Sequence, residues 1–141
     1  MDDKLDGLMR GYLRLLHAAF AQREHLQLSN PAEIQRQIAS LEKGMKNDGE
    51  KVQEINRKRL DILRKRMEKF DKIRENRQII DAQCAAIEDV LKLIRDQSVT
   101  IRDSEQLDVQ LETLVSDVET TEETVRQVEA LFQSGEDLWQ H

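Results

Sequence analysis

Proline is almost missing from this chain: Pro31 is the only one in 141 residues, alongside five glycines. Sandwiches and barrels of β-strands need many tight turns, so this scarcity argues against them. Cys84 is the only cysteine, which rules out an internal disulfide and suits a reducing, cytoplasmic compartment. Aromatic residues make up only 4% of the chain, so large side chains are few. Helices that bury narrow stripes and expose the rest fit that supply. No apolar run approaches the roughly 18 residues that a membrane span needs. The start, Met1-Asp2-Asp3, lacks the basic residues and unbroken apolar stretch of a signal peptide.

What is abundant is charge, at 35% of residues, and the 38% that are hydrophobic recur at regular spacing. That regularity argues against disorder. The formal net charge is −6, which disfavours a nucleic-acid binder. The charge is unevenly placed. From Arg57 to Arg77 there are ten Lys/Arg against four Asp/Glu, while Asp103 to His141 holds eleven acids and the single base Arg126. Opposite regions of this kind attract, within one chain or between two.

Apolar steps of three and four set the elements. Leu5, Leu8, Met9, Tyr12, Leu13, Leu15, Leu16, Ala19 and Phe20 predict one wide apolar face on a helix over 2–27. Gly7 and Gly11, one turn apart, offer close backbone approach. Ser29-Asn30-Pro31 ends that helix. Asn30 and Glu33 form a capping box for the next, over 31–47, with Ile34, Ile38, Leu41 and Met45 in line. Asn47-Asp48-Gly49 favours a turn, with Gly49 suited to the left-handed conformation. The alternative is one unbroken helix from Pro31 to near Gln97, about 100 Å long. A helix over 50–97 has a clean seam in Ile73, Arg77, Ile80, Cys84, Ile87, Leu91 and Ile94. Traced back through Leu63, Arg59, Ile55 and Val52, the seam shifts phase near Arg59, as a stutter would, and a change of partner helix is expected at 59–70. Asp103 reads as the N-cap of a last helix over 104–133. Its seam of Leu107, Leu111, Leu114, Val118, Thr121, Val125, Val128 and Phe132 alternates four and three throughout. Residues 134–141 read as a flexible tail.

The fold class expected is all-α: an elongated antiparallel helical bundle or coiled coil, with one long central helix and shorter flanking helices. The last helix should fold back over Ile94 to Phe70, and the first two should cover Val52 to Met67. No catalytic, metal or cofactor site is expected. His17 and His25 lack ligand partners at metal spacing, and no phosphate loop or nucleophile signature occurs. Cys84 sits on the seam as a structural thiol. The function expected is a non-enzymatic interaction or scaffold module that forms a homodimer or docks another helical protein. Arg57, Arg59, Arg66 and Arg77 are the candidate basic contacts, and Glu112, Glu119 and Glu123 the acidic ones. The alternative is a peripheral membrane module that lays its amphipathic first helix on lipid.

Overall fold

The computed structural model describes the backbone of residues 2–97 and 104–140, and the side chains of 3–96 and 107–131. The chain is all-α and of helical-bundle type, with four α-helices among the described residues: α1 (Asp2–Leu28), α2 (Pro31–Gly44), the long α3 (Glu50–Gln97) and α4 (Ser104–Gln140). No strand occurs among the described residues. The expected connection at 98–103, with the Asp103 cap, lies outside them.

The α1–α2 junction forms as the sequence predicts. Asn30 is extended, its side chain accepts from the backbone N–H of Glu33, and Pro31 opens α2. The break at 47–49 is also present, with a different cause from the one expected. A single 3₁₀ turn, Met45–Asn47, leads into extended Asp48 at φ −91° and ψ 154°. No glycine has positive φ among the described residues, so Gly49 supplies no left-handed cap. Instead its carbonyl accepts the Gln53 N–H at 2.9 Å and opens α3.

The chain divides into two compact units, one of Met1–Arg23 with Glu75–His141, the other Glu24–Arg74. The first holds α1 as far as Arg23, the later part of α3, and α4. Tyr12 bonds Glu88 and Gln22 bonds Asn76, so α1 runs antiparallel to α3. Lys4 pairs with Glu112 and Arg14 with Glu122, so α1 runs parallel to α4. Leu8, Leu15, Ile80, Ile87 and Leu111 are fully buried at the centre. Each contributes roughly 1.5–3 kcal/mol. All seven described positions of the α4 seam, Leu107 to Val128, are buried. Phe132 lies outside the described side chains.

Two expectations are corrected here. The first helix packs on α4 and on α3 beyond Asn76, not along Val52 to Met67. The reason is a close approach: a Cβ on Gly11 would stand 2.7 Å from Val118 Cγ1. Leu8, Gly11, Leu15, Ala18, Ala19 and Gln22 thus face inward as a narrow stripe of mostly small residues. Gly7 meets nothing within 4 Å, so the other half of the glycine pair makes no such contact. Second, α4 continues through Gly135 to Gln140, past the expected end near Phe132. One glycine costs a helix only about 1 kcal/mol, too little to stop it.

The second unit is a small antiparallel hairpin. Ile34, Leu60, Leu63, Phe70 and Ile73 are buried, with Ile38, Leu41, Met45 and Met67 half-buried around them. Here the phase of α3 differs from the expected one. Gln53 and Asn56 turn inward, while Val52 and Ile55 are exposed. The turn accounts for this: Gln53 Nε2 donates to the Met45 carbonyl at 2.8 Å, and Asn56 Nδ2 to Asp48 at 3.3 Å. A helix end leaves carbonyls without partners, and these two side chains satisfy that region.

Candidate functional site

Polar chemistry in the three-helix unit is mostly consumed in holding it together. Arg77, expected as a partner contact, donates Nη1 to the Ala19 carbonyl at 2.5 Å and Nε to Asp81 at 2.9 Å. Glu112 is engaged by Lys4 at 2.5 Å, and their hydrogen bond pushes the lysine pKa up and the carboxyl down. Glu123 pairs with Arg126 at 2.7 Å, and Glu119 stands exposed. Tyr12 donates its hydroxyl to Glu88 at 2.6 Å. That bond, with burial second, pushes the phenol up to about 12. Cys84 is buried, and burial pushes its thiol up, away from the reactive thiolate.

One buried polar layer stands out. Gln22 Nε2 donates to Asn76 Oδ1 at 2.6 Å, and both residues are 2% exposed. Gln22 Oε1 and Asn76 Nδ2 find no partner. Such a layer costs stability and penalises shifted packings, because a slip would leave still more polar atoms unpaired.

In the hairpin unit, Arg57 and Arg66 are exposed, and among the described residues Arg59 bonds only Asn56 one turn back, at 3.2 Å. These arginines surround an apolar line the packing does not use: Val52, Ile55 and Ile62 are 49%, 53% and 48% exposed. Arg59 and Arg66 fall in the same line at steps of three and four. Neighbouring Lys65 and Lys72 are held by Asp61 and Glu68 on the same helix.

No family model, curated protein or solved structure matches this chain. Its surfaces therefore carry the functional argument alone.

The sequence reading missed a second uncovered line, on α1. Met9, Leu13, Leu16 and Phe20 are 37%, 60%, 41% and 62% exposed. They belong to the wide apolar face read as core, but only the stripe through Leu8 and Leu15 is buried. A groove of about 400 Å³ beside α4 takes in Leu13, His17, Val125 and Glu129. Another of about 350 Å³ beside α3 takes in Leu16, Phe20, Arg23, Ala85 and Glu88. The signal was in the sequence: two interleaved apolar stripes on one helix exceed the single face a bundle helix needs. Among the described residues no cluster of His, Cys, Asp or Glu is placed to hold a metal ion, and no helix is long and apolar enough to cross a membrane.

Proposed function

We propose that this chain is a non-enzymatic helical interaction module that docks an acidic amphipathic helix of another protein along α3. The observation that carries this is the uncovered line Val52, Ile55 and Ile62, interrupted only by Arg59 and Arg66. An apolar line at steps of three and four is the seam a coiled-coil partner occupies. Its arginines, with Arg57 and Lys58 beside them, select glutamate-rich partners and disfavour basic ones. A second copy's α4 fits this line less well. It offers Glu112, Glu119 and Glu123, but Val109 is its only large exposed apolar side chain among the described residues. The α1 line is one residue wide, which favours a helix over a lipid surface as its occupant. The lone buried thiol suits a cytoplasmic setting.

The test uses two synthetic amphipathic helices with leucine at every seam position. One carries glutamate at the flanking positions and the other lysine. Fluorescence anisotropy should show binding of the glutamate helix only. The Ile55→Ser, Ile62→Ser double variant should weaken it at least about tenfold, since two buried apolar anchors are lost. Equal binding of both peptides, or an unaffected double variant, sinks the reading.

A further inference from the structure

We propose that the outward line of α1 is a self-complementary seam that joins two copies of this chain, antiparallel, about a two-fold axis between Arg14 and Leu15. This uses a different helix from the α3 site and stands or falls separately from it.

The line is longer than its four apolar residues. Asp6 precedes Met9 by three positions and Arg23 follows Phe20 by three. The series Asp6, Met9, Leu13, Leu16, Phe20, Arg23 therefore steps 3-4-3-4-3, the spacing of one coiled-coil seam about 26 Å long. All six side chains are exposed. Among the described residues neither Asp6 nor Arg23 has a hydrogen bond or ion pair, whereas Lys4, Tyr12 and Arg14 on the same helix all do. The two ends of the seam are thus charges that α1 leaves without a partner among the described residues, as it also leaves Asp3, Arg10 and Glu24 off the seam.

Reversing the series about its midpoint maps Met9 onto Phe20, Leu13 onto Leu16, and Asp6 onto Arg23. A second copy laid antiparallel thus places apolar against apolar in four consecutive layers. It closes both ends with an acid facing a base. A parallel pairing in register sets Asp6 against Asp6 and Arg23 against Arg23, so orientation is selected by charge. Two-fold symmetry makes the contact isologous, and each ion pair occurs twice. Beside the seam Arg10 faces His17 and Asp3 faces Glu24 of the second copy, so the flanks add no attraction and the end pairs Asp6–Arg23 carry the charge selection. The acid at one end also sets this seam apart from a lipid-binding face, since Asp6 lies in the apolar line itself.

The test is sedimentation of the whole chain over a concentration series in low salt. The wild type should dimerise at tens of micromolar. Asp6→Arg and Arg23→Asp each replace two attractive contacts by two repulsive ones, so each variant alone should associate about tenfold more weakly. Both side chains are exposed, so helix content and melting should match the wild type. An equimolar mixture of the two variants should regain wild-type affinity as a heterodimer, because every reversed charge then faces its opposite. A monomeric wild type overturns the proposal. So does a mixture that associates no better than either variant alone, or a Leu16→Glu variant that dimerises like the wild type.

Discussion

Gly11 shows how one missing methyl sets a helix pairing. Gly11→Ala puts a Cβ 2.7 Å from Val118 Cγ1 on a neighbouring helix. That overlap should destabilise the three-helix unit by about 1–3 kcal/mol, and Val118→Ala should restore part of the loss. Gly7→Ala meets open space and should stabilise by up to about 1 kcal/mol through helix propensity. Urea unfolding of the three variants separates packing from propensity; equal effects at Gly7 and Gly11 contradict the close approach. Tyr12 gives a second prediction at this scale. It is the only tyrosine, so phenolate absorbance reads it without interference. It should ionise near 12 in the folded protein, and Glu88→Gln should bring it down. The raised folded value means the folded state holds its proton more tightly than the unfolded chain. This stabilisation is complete below pH 10 and is lost as the pH rises through 12. A midpoint unmoved by Glu88→Gln removes the hydrogen bond as the cause.

At the scale of the element, α2 depends on its first turn. Asn30 accepts from Glu33 and Pro31 presets the helix, which is why this boundary was legible in the sequence. Asn30→Ala should cost about 1 kcal/mol, seen as a lower melting temperature, while Asn30→Asp should keep most of the stability. Equal melting of all three would show the cap idle. The α4 seam was legible for a different reason: Leu107 to Val128 form the single apolar stripe of a helix with one buried face. The other two long helices misled. α1 carries two apolar stripes, and periodicity alone does not say that the one with Gly11 and Ala18 goes inward. In α3 the polar Gln53 and Asn56 turn inward because the preceding turn offers them Met45 and Asp48. A hydrophobic pattern assigns those positions to solvent and shifts the predicted seam by one residue. The role of Arg77 was hidden for a similar reason, since its acceptor is the Ala19 backbone carbonyl, present in every sequence.

At the scale of the whole molecule, the ion pairs among the described residues are local, within a unit, and they answer only part of the segregated charge. The acids of α4 that are paired meet bases from α1 and from α4 itself: Lys4, Arg14 and Arg126. In the early part of α3, Arg64 is held by Glu42 of α2 and Lys65 by Asp61 of α3 itself, while Arg57 and Arg66 stay exposed. Most of these pairs are exposed, and exposed pairs stabilise weakly, by about 0–1 kcal/mol each. Their main effect is on which helices meet and in which direction.

The parallel run of α1 beside α4 has a consequence for synthesis. Lys4 and Glu112, like Arg14 and Glu122, stand 108 residues apart in the chain. The hairpin closes over much shorter loops, with Glu42 and Arg64 only 22 apart. Contacts between near neighbours in sequence form first, and those that close long loops come later. On the ribosome, α1 therefore emerges well before the helix that completes its packing. During that interval α1 can pack only on α3, and the side of its inner stripe around Gly11 stays open until α4 emerges and brings Val118 over it.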